Sequence, residues 1–197
     1  MRASTRRERV SGPVGKIECA VDEPDGASRG VALVAHPHPL FGGTLDNKVA
    51  QTLARAFVTL GYTAWRPNFR GVGQSEGAHD EGRGEVEDLL AVLKHTGAQR
   101  YVLAGFSFGA AMQAKVAHQT RPEWVVLVGT AVTNYEVPPV PGGSLVIHGE
   151  NDDTIPLAAV LDWARPQDLP VVVVPGADHF FHRKLPALRQ IVESRAK

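Results

Sequence analysis

Cysteine is almost absent from this chain of 197 residues: Cys19 stands alone. One cysteine makes no intrachain disulfide and no clustered metal site, and it fits a reducing, cytoplasmic setting. Within the alternating run Val14 to Val21 it reads as a small core residue. Long apolar runs are missing too, which excludes a membrane-spanning helix and any membrane partner held that way. Charge of one sign is not in excess: 21 Lys and Arg meet 21 Asp and Glu, leaving nothing to attract nucleic acid. Arg2, Arg6, Arg7 and Arg9 have no apolar segment behind them, so the amino terminus is not a secretory signal. Residues 1–10 read as a flexible, solvated tail. Linkers, repeats and low-complexity tracts are also lacking, and 43% hydrophobic residues fit one packed domain over 11–197.

What is present centres on Val102-Leu103-Ala104-Gly105-Phe106-Ser107-Phe108-Gly109. Tyr101 to Ala104 reads as a buried strand, and Ala110 to Ala117 as a helix. Between them lies G-x-S-x-G. A sharp strand-to-helix turn needs residues without side chains at its crowded positions, because Ser107 must take a strained backbone. Such a turn lifts the hydroxyl above the sheet edge, over amide N–H groups of the helix start. The bland alternative is a glycine-rich turn carrying an inert serine.

Around this turn, apolar runs alternate with amphipathic stretches. Val14–Val21 reads as an edge strand. Val31–Ala35, Tyr62–Pro67, Trp124–Val128, Leu145–His148 and Val171–Val174 read as further strands. Asn47–Leu60, Gly84–Thr96, Leu157–Ala164 and Leu185–Ala196 read as helices. In Gly84–Thr96, Val86, Leu89, Leu90 and Leu93 face inward, while Glu85, Glu87, Asp88 and Lys94 face outward. The pattern predicts an α/β fold with a mostly parallel, doubly wound sheet and helices on both faces. Ligands bind such sheets beyond the carboxyl ends of the strands. The chemically interesting residues all fall there: His36–Gly43, Asn68–Gly77, Ser107, Asp152 and His179. Residues 129–144 hold three prolines and no amphipathic pattern, which leaves no room for an inserted cap domain.

A serine hydroxyl needs a neighbouring base, and the base an orienting group. Glu150, Asp152 and Asp153 follow the strand Leu145–His148. Asp152 is preferred, because Gly149-x-x-Asp152-x-x-Ile155-Pro156 turns the chain and starts a helix at proline. His179 and His182 follow the last strand. His179, nearer the strand end, is preferred as base. His36 and His148 end strands and read as structural hydrogen-bonders; His79, His95 and His118 read as surface residues. His36 and His38 have no evident third ligand, so no metal is expected. Two donors for a developing oxyanion are expected. Phe108 N–H is one. Pro37 and Pro39 have none to offer, which leaves His38 or Leu40 as the second. Phe41, Phe69, Phe106 and Phe108 predict an apolar acyl pocket, with Phe41 and Phe106 lining it.

Taken together, His36-Pro37-His38-Pro39, Asn68-Phe69-Arg70-Gly71-x-Gly73-x-Ser75, Gly105-x-Ser107-x-Gly109, Gly149-x-x-Asp152 and His179 resemble the α/β-hydrolase family over about Val14 to Val192. More narrowly the chain resembles small lidless serine esterases with a His-Pro-His-Pro oxyanion loop, near the dienelactone-hydrolase and prolyl-oligopeptidase-like branches. It departs from the commoner His-Gly loop at Pro37. Dienelactone hydrolases carry Cys at the elbow and haloalkane dehalogenases Asp, so neither activity is implied. The resemblance implies a Ser107–Asp152–His179 triad and no cofactor. The expected function is hydrolysis of small or short-chain carboxylic esters by a monomer or homodimer acting on a small-molecule acyl substrate. Thioesterase, amidase or peptidase chemistry on the same triad is the alternative. A non-catalytic ligand-binding protein on this scaffold is the alternative of a different class.

Overall fold

The computed structural model describes residues 5–195. Eight strands form one sheet in the order β1-β2-β4-β3-β5-β6-β7-β8. They are β1 (Arg6–Ser11), β2 (Lys16–Asp22), β3 (Val31–Ala35), β4 (Thr63–Pro67), β5 (Tyr101–Phe106), β6 (Trp124–Val128), β7 (Leu145–Gly149) and β8 (Val171–Val174). β2 is antiparallel to both β1 and β4; the other pairings are parallel. The helices are α1 (Lys48–Thr59), α2 (Arg83–Thr96), α3 (Phe108–Gln119), α4 (Leu157–Ala164) and α5 (Leu185–Arg195).

Successive side chains of a strand point to opposite faces, so both faces need cover. Leu33, Leu103 and Leu127 pack under α2, α3 and α4. Val34, Val102 and Val126 pack under α1 and α5, against Leu53, Phe57, Leu188 and Val192. This explains why the central strands are continuous apolar runs. The chain leaves β3 for β4 on one side and returns as β5 on the other. The carboxyl ends of β3 and β5 therefore flank the reversal of strand order, where such sheets open a crevice.

Three expectations change. Residues 6–10 are not a tail: β1 pairs with β2 from Arg6 opposite Val21 to Ser11 opposite Lys16. Residues 1–4 of the expected tail lie outside the described residues. β2 is consequently an interior strand and not an edge. On α2, Glu85 and Asp88 face inward. Asp88 takes both ends of the buried Arg70 guanidinium, at 2.8 and 2.9 Å. A buried cation needs such a partner, which overrides the outward preference of a carboxylate. Residues 129–144 contain neither helix nor strand, so no cap domain interrupts β6 and β7.

Candidate active site

Ser107 joins β5 to α3 with φ +55° and ψ −116°, a conformation that side-chain-bearing residues seldom take. The bend is very tight. A Cβ on Gly105 would stand 2.3 Å from the Gly109 carbonyl oxygen, and one on Gly109 2.4 Å from that of His36. Both glycines of G-x-S-x-G are thus required by backbone approach.

The loops after β7 and β8 bring two side chains to this bend. His179 Nε2 lies 3.1 Å from Ser107 Oγ, and its Nδ1 lies 2.7 Å from Asp152 Oδ2. With the Nδ1 proton toward the carboxylate, Nε2 turns its lone pair to the hydroxyl. Asp152 Oδ1 accepts from the N–H groups of Thr154 at 3.0 Å and Ile155 at 2.8 Å. Burial would raise the Asp152 carboxyl, but the hydrogen bonds from His179 and Ile155 outweigh it and hold it below the usual carboxylate range. His179 is itself clamped. The Phe106 ring lies 4.9 Å from it, and a Cβ on Gly129 would come within 3.3 Å of its Cε1. Gly129 carries no sequence motif, and only the closed fold exposes its role.

The other candidates go elsewhere. Asp153 is exposed. Glu150 accepts from Gly176 N–H at 2.7 Å, away from the serine. His182 pairs with Asp178 at the surface. His148 is buried behind the carboxylate. Its Nε2 donates to the Ile155 carbonyl at 2.9 Å and stands 3.4 Å from Asp152 Oδ2. Burial holds this ring below the ordinary histidine range.

A model of the alpha/beta hydrolase fold matches residues 38–140. An uncharacterized protein of Rickettsia prowazekii is 33% identical over 193 residues, spanning 88% of this chain and 81% of that one. This chain belongs to the α/β-hydrolase family. A Xanthomonas campestris protein described as an a/b serine hydrolase without lid superposes with a TM-score of 0.93 at 34% identity, covering 99% of this chain and 94% of that one. An alpha-beta serine hydrolase homologue of Coxiella burnetii superposes with a TM-score of 0.90 at 39% identity, covering 96% of each.

In this hydrolase the loop after β3 is tied down by two histidines. His36 is fully buried. Its Nδ1 donates to the Pro37 carbonyl at 2.6 Å and its Nε2 accepts from Phe69 N–H at 3.0 Å. It is a structural hydrogen-bonder, and burial pushes its pKa down to about 4. His38 Nδ1 accepts from Leu40 N–H at 3.2 Å. Leu40 N–H is thereby occupied, whereas His38 N–H has no protein acceptor among the described residues. Gly43 lets this loop close on itself, since a Cβ there would meet the Pro37 oxygen at 2.1 Å.

The expected aromatic pocket is corrected. Phe69, Phe106 and Phe108 are buried in the core and line no open surface. Phe106, the last residue of β5, turns into the core on the α1 and α5 face, and Phe108, the first residue of α3, turns into the core on the other. Phe41 stands on the rim, 86% exposed, next to exposed Leu40; exposed Phe180 stands on the histidine loop. His79 is also not the surface residue expected. Its ring packs on His38 and Phe108.

Proposed function

We propose that this α/β hydrolase cleaves carboxylic esters through an acyl-enzyme on Ser107. The reading rests on one observation: the unbroken line of contacts from Asp152 through His179 to Ser107 Oγ. In it, His179 Nε2 takes the hydroxyl proton as Oγ attacks the carbonyl carbon. The imidazolium then hands that proton to the departing alkoxide. Asp152 keeps the proton on Nδ1 and stabilises the charged ring. Water, deprotonated by the same Nε2, attacks the acyl-enzyme and frees the acid. The oxyanion is received by the backbone N–H of Phe108 and that of His38. His38 is preferred over Leu40 because the Leu40 N–H already serves the His38 ring.

An open mouth suits small substrates. Residues 129–144 supply no cap, and Leu40, Phe41 and Phe180 form an apolar rim in place of an enclosed tunnel. The test is a series of nitrophenyl esters, with thioester and amide analogues of matched acyl chain. Acetate and butyrate esters are expected to turn over fastest by kcat/KM. Faster cleavage of palmitate, or of the thioester or amide, contradicts the reading.

A further inference from the structure

Beside the serine lies a second imidazole–carboxylate contact that the proposed reaction does not use. His79 Nδ1 is buried and lies 2.8 Å from Glu85 Oε1, in a bent approach. Glu85 is fully buried and fixed: its two oxygens accept from Asp80 N–H and Gly82 N–H, each at 2.9 Å. The approach is too bent for a hydrogen bond, but a carboxylate oxygen at 2.8 Å repels a ring lone pair and attracts an N–H dipole, which favours the His79 proton on Nδ1. In the neutral ring that leaves Nε2 as an acceptor. The side chain remains 11% exposed, and the exposed part lies away from Nδ1.

Its neighbour has the opposite polarity. His38 Nδ1 accepts from Leu40 N–H, so the proton of that neutral ring is on Nε2, a donor. Burial, with His79 close by, holds the His38 ring below the usual histidine range, which keeps it neutral. The two ring centroids are 4.8 Å apart. Both rings rest on Phe108, at 5.0 and 5.7 Å, the residue directly after Ser107. Among the described residues no group of three or more His, Cys, Asp or Glu side chains could hold a metal ion, so the pair of rings is not a metal site.

A donor and an acceptor side by side fit a group that is both. A hydroxyl is the smallest such group that an ester substrate carries. A carboxylate would face the His79 lone pair, and an alkyl group would leave both nitrogens without partners. We propose that His38 and His79 form a subsite for a hydroxyl carried by the substrate near its scissile ester, so that esters of hydroxy acids or of polyols are the preferred class. This rests on the ester-hydrolase reading above and narrows it.

The experiment compares kcat/KM for esters matched in shape, at mildly alkaline pH. Methyl β-hydroxybutyrate is set against methyl isovalerate, and ethylene-glycol monobutyrate against propyl butyrate. Monomethyl succinate supplies the anionic arm. The hydroxyl ester of at least one pair is expected to be favoured about tenfold, the effect of two modest hydrogen bonds. His79→Phe, which keeps the ring stacking and removes the acceptor, is expected to bring that ratio close to one. His79→Gln, which restores an acceptor, is expected to recover part of it, and circular-dichroism melts check that both variants fold. Ratios near one in the unaltered protein, a ratio that survives His79→Phe, or a preference for the succinate overturns the subsite and leaves the esterase reading standing. No turnover of any ester overturns both.

Discussion

Two aspartate–histidine pairs, whose histidines follow one another on the loop after β8, share the same Nδ1 to Oδ2 distance, 2.7 Å. Asp152 and His179 are 0% and 4% exposed; Asp178 and His182 are 43% and 70% exposed. The difference teaches that the bond alone confers little. In the buried pair the carboxylate's field on the ring is poorly screened, the ring is wedged by Phe106 and Gly129, and Nε2 meets a hydroxyl. In the exposed pair water competes, and an exposed contact of this kind contributes little to stability. Glu85 and His79 lie between these extremes: the carboxylate is buried, but among the described residues no protein hydroxyl is hydrogen-bonded to the ring.

The comparison is broken most severely at the buried pair. His179→Gln is expected to lower kcat on a short acyl ester by roughly four to six orders of magnitude, and Asp152→Asn by about four, because the ring would then hold the wrong tautomer. Stopped assays with active-site titration would measure both. A loss of less than a hundredfold in either would remove His179 or Asp152 from the role assigned to it.

A second test separates buried histidines from exposed ones by acid stability. His36 has its pKa pushed from 6.5 to about 4. Between those values the unfolded chain binds a proton there and the folded chain does not. Its contribution is therefore complete above about pH 6.5 and is lost as pH falls toward 4. On the order of 3 kcal/mol is at stake. Asp152 has a lowered carboxyl, so its contribution is lost only further down, below the ordinary carboxylate range. Urea midpoints are expected to fall between pH 7 and pH 5 in the unaltered protein, with a shallower fall in His36→Asn. Equal slopes would show that His36 is not the group responsible. The smallest effect is expected at the exposed pair: His182→Ala and Asp178→Asn should each change kcat/KM by less than about threefold.

The legible parts of the sequence were those with local signatures. Gly105-x-Ser107-x-Gly109 is demanded by backbone crowding within five residues. Asp152 was picked out by the turn from Gly149 to Pro156, and His179 by its closeness to the end of β8. Most of what escaped was non-local. β1 buries only Val10, so its strand character rests on pairing with β2 and not on its own pattern. Glu85 is held locally, by the N–H groups of Asp80 and Gly82 at the start of its own helix, a capping contact that glycine at the cap position disguises. Asp88 reads as solvent-facing because Arg70 reaches it only in the closed fold. His79 read as exposed for the same reason. Phe106 read as a pocket wall, since sequence shows that it borders Ser107 but not that it turns beneath His179.

The most direct measurement is reaction of the folded protein with a fluorophosphonate, followed by mass mapping of the modified peptide. The account predicts a single adduct on Ser107 in the unaltered chain and its near-complete loss in His179→Gln. A folded, unaltered protein that stays unlabelled, or that carries the adduct on another residue, would contradict it.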